Sequence, residues 1–142
     1  MSDRYLIINA DDFGYNEQQT AAIKELLSKK LITSTSMLTV TPYSQTAAEM
    51  LESLEHPVGV HLSINSDSSV NRWKSNSGAK SLEDEYGLFA DQKKVAFVKR
   101  KDVVTELEAQ YDFIIKNGGT VDHADNHCGT LYGINLRRFY ID

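Results

Sequence analysis

The chain has 142 residues, 41% hydrophobic and 25% charged, with a formal net charge of −5 and a pI near 5.3. This composition fits one soluble globular domain and excludes a disordered chain, while the acidic balance argues against a nucleic-acid or anionic-membrane surface, both of which need basic stripes. A single cysteine, Cys128, can form no internal disulfide, and no apolar stretch approaches a membrane span or signal-peptide core, so a cytoplasmic location is expected.

Tyr5-Leu6-Ile7-Ile8 is the kind of continuous apolar run shown by a strand buried on both faces, and it stops at Asn9-Ala10-Asp11-Asp12-Phe13-Gly14. In parallel α/β proteins ligands and metals collect at C-terminal strand ends, which makes Asp11 and Asp12 candidates for chemistry. Asp and Asn are also ordinary turn residues, but one acid would cap the next helix as well as a self-repelling pair. Asn16 to Lys30 carries Ala21, Ala22, Ile23, Leu26 and Leu27 at helical spacing. Ile32 to Val40 alternates as a second strand, ended by Pro42. Tyr43 to Glu55 repeats the helical pattern, and Pro57 to Leu62 is a third short strand. Strand, helix, strand, helix, strand is the βαβ pattern of a parallel sheet with right-handed crossovers.

From Ser63 to Lys101 periodicity fails in a polar tract around Trp73, which predicts a long loop. Trp73, Tyr86, Leu88 and Phe89 argue that the loop is ordered. Trp73 is a candidate sugar-stacking platform; a loop pinned to the surface by its aromatics is the equal alternative. The basic run from Lys93-Lys94 to Lys99-Arg100-Lys101 is interrupted by Val95, Ala96, Phe97 and Val98 and reads as a solvated face beside a packed stripe. Asp102 to Asn117 predicts a helix with Val103, Val104, Leu107, Tyr111, Ile114 and Ile115 on one stripe and Gly118-Gly119 at its C-cap. Thr120 to His127 reads as a fourth strand with His123, Asp125 and His127 on one face, and Ile134 to Asp142 begins another helix.

Because all C-terminal strand ends of a parallel sheet lie on one side, Asp11-Asp12, His61, Asp125 and His127 are expected at a common rim. Two imidazoles with a carboxylate form a familiar ligand set for a catalytic divalent cation. A lone His on a strand is more often a core or rim residue, so the convergence carries this reading. His123 is expected to sit deeper and hydrogen-bond, and Cys128 to be an inert buried thiol more than a thiolate ligand. Residue order leaves open which acid of the Asp11-Asp12 pair would bind a cation; extended geometry sends them to opposite faces, so the chain must bend for both to reach the rim.

The chain resembles the YdjC-like carbohydrate deacetylases, which include chitooligosaccharide deacetylases. The resemblance lies in Asn9-Ala10-Asp11-Asp12-Phe13-Gly14, Leu31-Ile32-Thr33-Ser34-Thr35-Ser36-Met37, Val58-Gly59-Val60-His61-Leu62 and Asp122-His123-Ala124-Asp125-Asn126-His127. Trp73 with Ser81-Leu82 and Gly87-Leu88-Phe89 looks like the family's long third loop, and Leu107-Glu108-Ala109-Gln110 like its next helix. The resemblance implies a (β/α) barrel-type parallel sheet with flanking helices. It implies metal-dependent removal of acetyl groups from N-acetylated sugars, a divalent cofactor (magnesium or zinc), Asp12, His61 and His127 as ligands, and Asp11 as general base. Asp125 is expected to orient an imidazole, and Trp73 to contact substrate.

Thr20 stands where the family commonly has Asn, which puts one rim hydrogen bond in question. A full barrel needs roughly 250 residues, so residues 1–142 are expected to be a single domain unit equivalent to the N-terminal half of a longer one, an incomplete barrel. It is expected to form a homodimer or to associate with the missing half. Two other readings compete: a metal- or sugar-binding remnant without activity, and a phosphorylation-receiver-like domain, which also has an acidic pair after its first strand.

Overall fold

The computed structural model describes residues 3–68, 70–90 and 98–132. The helix expected from Ile134 and the basic-run residues Lys93 to Phe97 lie outside them. Four parallel strands, β1 (Asn9–Phe13), β2 (Ser34–Met37), β3 (Val58–Leu62) and β4 (Val121–Asn126), stand in the order β1-β2-β3-β4. This sequential order is that of a (β/α) barrel whose sheet has not closed. A doubly wound receiver sheet places its first strand between the second and third, so the receiver reading is excluded.

The helices α1 (Glu17–Ser28), α2 (Ser44–Ala48) and α3 (Arg100–Lys116) occupy the connections. The Asn16 side chain caps α1 by accepting from the Gln19 N–H at 2.8 Å, and Ile23 and Leu27 bury its inner face. The second helical pattern is shorter than expected: after α2 the chain tightens into a 3-10 turn at Leu51–Ser53, with Ala47, Ala48 and Leu51 buried. The core between helices and sheet is built from Phe13, Met37, Leu38, Val58, Val60 and Ile114.

Two expectations are corrected. The apolar run Tyr5 to Ile8 is not a strand buried on both faces: Tyr5, Leu6 and Ile7 are 89, 76 and 77% exposed, and β1 begins at Asn9. Pairing starts only where the Ile8 carbonyl accepts from the Thr33 and Ser34 N–H groups, and β1 is an edge of the described sheet, so nothing described covers the residues before it. On α3, Tyr111 and Ile115 are exposed, and the buried positions are Val103, Glu106, Gln110 and Ile114.

Glu106 and Gln110 are buried because the long loop uses them as its anchor. Glu106 accepts from the Asn76 and Ser77 N–H groups at 3.0 and 2.8 Å, from the Ser77 hydroxyl, and from Gln110. Gln110 in turn accepts from the Ser63 N–H and donates to the Ser63 carbonyl, which fixes where the loop leaves β3. The inner face of α3 thus combines Val103 and Ile114 with two polar side chains satisfied largely by loop backbone.

Candidate metal centre

β1 and β2 pair Asn9 with Ser34, Ala10 with Thr35 and Phe13 with Met37, which leaves one extra residue in β1. This bulge falls at Asp11 and Asp12, and Asp12 takes the left-handed conformation at φ 69°. It supplies the bend that extended geometry would forbid, turning both carboxylates toward the sheet's inner face. Gly14, at φ 93°, makes the following turn; a Cβ there would lie 2.7 Å from the Leu38 carbonyl oxygen. Thr20 closes the turn, its hydroxyl accepting from the Gly14 N–H at 3.0 Å, so the residue that departs from the family pattern does hold a hydrogen bond.

Asp12 Oδ1 lies 3.2 Å from His61 Nε2 and 3.3 Å from His127 Nδ1. The oxygen is buried, yet neither ring meets it in hydrogen-bonding geometry. The three atoms lie close enough together to be donors to one cation. Ligand atoms held ~2.0–2.2 Å from one ion stand about 3.0–3.5 Å apart in tetrahedral or octahedral arrangements, so these spacings fit a divalent metal. His61 comes from β3; His127 follows β4 in a 3-10 turn (His127–Tyr132) kinked at Cys128 and Gly129, so it does not share a strand face with His123 and Asp125.

A second layer of polar groups fixes the first. Asp125 Oδ1 accepts from His61 Nδ1 at 2.5 Å, and its other oxygen accepts from the Ser36 hydroxyl at 2.6 Å and the Asn9 amide at 3.3 Å. The Asn9 amide also donates to Asp11 Oδ1 at 2.8 Å, so the acid beside Asp12 is held but stays exposed. Burial opposes the ionisation of Asp12, but His127 and His61 outweigh it and hold the carboxyl well below the usual range. Burial likewise opposes the charging of His61, but Asp12 and Asp125 outweigh it and push the imidazole up to about 9. His127 is raised for the same reason, with Asp12 and Asp67 outweighing burial.

Nearer the start of the strands, His123 donates or accepts across 3.3 Å to the Ser34 hydroxyl and meets Asp122 at 2.6 Å. Its ring lies flat over Gly59, where a Cβ would come within 2.2 Å of Nε2. His123 thus hydrogen-bonds below the site, outside the group formed by Asp12, His61 and His127. Trp73 is 4% exposed, packed edge-on against Tyr15 at 5.9 Å and tilted over His127 at 5.2 Å between ring centroids. The buried ring stands as a wall behind His127 and also lines a cavity with Arg72, Lys74 and Asn76. Cys128 is exposed, not the buried thiol expected, because it sits at the kink of the 3-10 turn after β4; its sulfur is 3.9 Å from Asp67 and outside the Asp12 group.

A family model described as YdjC-like protein matches residues 5–142. The chain belongs to the YdjC-like family. Among curated relatives, the Enterococcus faecalis carbohydrate deacetylase is 35% identical over 133 residues, covering 89% of this chain and 49% of that protein. The Geobacillus stearothermophilus carbohydrate deacetylase is 30% identical over 128 residues, covering 87% of this chain and 49% of its own length. A solved Enterococcus faecalis structure, of a protein to which cellobiose-phosphate cleavage has been ascribed, superposes with a TM-score of 0.77 at 33% identity, over 98% of this chain and 57% of that one. The chain spans about half the length of the curated relatives it matches.

Three residues that position this YdjC-like site escaped individual notice in the sequence. Asn9 and Ser36 lie within quoted motifs, and their period-2 spacing from Asp11 and from Ser34 was the available signal. Asp67, which accepts from His127 Nε2, sits in an aperiodic tract and gave none. Among the described residues no helix is long and apolar enough to cross a membrane.

Proposed function

We propose that this chain carries the metal-binding part of a carbohydrate deacetylase that hydrolyses the N-acetyl amide of N-acetylated sugars or chitooligosaccharides. On this reading, residues 1–142 make up one unit equivalent to the N-terminal half of the family domain. The observation that carries it is the convergence of Asp12 Oδ1, His61 Nε2 and His127 Nδ1, with Asp11 alongside, at the C-terminal ends of parallel strands. The names of the deacetylase relatives supply the reaction class.

Asp12, His61 and His127 would hold the cation, and two nitrogen donors favour a borderline ion such as zinc over magnesium. When bound, the ion supplies Lewis acidity toward water and the acetyl carbonyl. The residues of the chain do the rest. Asp125 keeps His61 in the tautomer whose Nε2 lone pair points to the centre. Asp11, held by the Asn9 amide, accepts the proton of the attacking water as its oxygen bonds to the acetyl carbon; the carbon–nitrogen bond then breaks, the amine nitrogen takes up that proton, and acetate and free amine remain. Trp73 shields His127 from solvent and offers substrate at most an edge. Asp11 lines an open cavity of about 560 Å³ with Asn9, Ser34, His123 and Asp125, on the inner face of the sheet.

Metal analysis and acetate release test this together. His61→Ala and His127→Ala should lose the bound ion; if both retain it as the parent does, the ligand assignment is wrong. In a chain that releases acetate from N-acetylglucosamine oligomers, Asp11→Asn should keep the ion and lose about 10²–10⁴-fold in rate, the usual share of a general base. Metal loss in Asp11→Asn with retention in Asp12→Asn would exchange the two roles.

A further inference from the structure

Resting on that metal-centre reading, we propose that Asp67 is a positioning residue for His127, holding the ring by Nε2 so that Nδ1 is presented to the point shared with Asp12 and His61. The Asp67 carboxylate forms a short hydrogen bond with His127 Nε2, and the ring's other nitrogen lies 3.3 Å from Asp12 Oδ1. A neutral imidazole carries one N–H, so engaging Nε2 as donor leaves the Nδ1 lone pair free. His61 is arranged the opposite way, with Asp125 on Nδ1 and Nε2 toward Asp12. The two rings thus offer different nitrogens to one centre, each set by its own carboxylate.

Asp67, His127 and Cys128 also form a group of potential ligands. The spacing decides between the two roles for Asp67. Its oxygen is in direct hydrogen-bond contact with Nε2, which leaves no room for an ion between them, whereas the gap at Nδ1 has the width that a shared cation needs.

The long loop fixes the backbone on the N-terminal side of Asp67. The Ser66 hydroxyl donates to the Phe89 carbonyl at 3.2 Å and accepts from the Trp73 N–H at 3.0 Å, one residue from Asp67. Ser63 is fixed to Gln110. Trp73, in the same loop, covers the His127 ring, so the loop constrains that imidazole both along its Nε2–H direction and across its face.

Zinc titration of the metal-free protein against a competing chelator, with parent, Asp67→Asn and Asp67→Ala, measures the effect. Asp67→Ala should weaken zinc binding about 10–100-fold, as loss of such partners does elsewhere, and Asp67→Asn less, since its amide oxygen still accepts. In ¹⁵N ring spectra of the zinc-loaded parent, His127 should bind through Nδ1 and show a protected Nε2–H. That proton should lose protection in Asp67→Ala while the His61 signals stay in place, which a merely structural loop residue would not produce. Circular dichroism identifies a misfolded Asp67→Ala, and Asp67→Asn then carries the comparison. Unchanged affinity and an unchanged Nε2–H signal, or zinc bound through Nε2, would overturn the proposal. A parent that binds no zinc would instead overturn the metal-centre reading, an outcome separable because it precedes any variant.

Discussion

Asp12 Oδ1 is a buried carboxylate oxygen facing two imidazoles, and in the metal-free chain its charge raises the proton affinity of both rings. His61 is raised from 6.5 to about 9, so the stability it contributes is fully present below pH 6.5 and is lost as pH rises through about 9. Asp12 and Asp125 are depressed, and their contribution is present above 3.8 and lost as pH falls through their lowered values. The metal-free chain should therefore be most heat-resistant between about pH 4 and 6.5, to be read from melting temperatures across pH with chelator present. A cation must displace the proton on His61, so its affinity should move the other way, tightening from pH 6.5 to about 9 with proton release measurable by calorimetry in buffers of different ionisation enthalpy. A melting profile that is flat from pH 6 to 9 would contradict this account of His61.

At the scale of elements, Gly59 of β3 shows how a strand position is set by its neighbour: the His123 ring from β4 occupies the space that a Cβ at Gly59 would need. Gly59→Ala should cost about 1–3 kcal/mol in denaturant unfolding, the range for overpacking a close-packed site, by pushing His123 off Ser34. A loss under ~0.5 kcal/mol would mean that the ring swings aside freely. The three helix-bridged connections among four strands and the meeting of the Asp11-Asp12 pair, His61 and His127 at one rim could be read from the sequence because periodicity and strand-end position are local signals. What could not be read depends on contacts distant in sequence. Glu106 and Gln110 are buried because the loop backbone uses them, Asp67 had no pattern, and the burial of Trp73 follows from the packing of the whole loop. Tyr5 to Ile8 misled in the other direction: the run has the composition of a covered strand, but β1 lies at the sheet's edge.

Across the whole molecule, that edge and the inner face of an unclosed sheet set the expected behaviour of the chain. Tyr5, Leu6, Ile7 and Leu31 are exposed apolar side chains near β1, whose outer edge has no partner strand among the described residues, a surface that invites another copy. The isolated chain should self-associate, most simply as a two-fold dimer, and light scattering should give a mass above the 16.0 kDa of the chain. A monodisperse monomer at that mass would count against it, and Leu6→Lys with Ile7→Lys should shift the distribution toward monomer if these residues make the contact. The sheet's curvature has a further consequence. β1 and β4 are separated by two strands in the sheet order, yet Asn9 reaches Asp125 at 3.3 Å and Asp12 reaches His127 at the same distance. An ion seated there would act as a latch across the bow of the sheet, joining segments at the two ends of the described chain much as a cross-link does. Its effect would then be felt well away from any imidazole: amide exchange along the β1–β2 ladder should slow on loading, and a chelator should make the chain easier for a protease to open from its first strand.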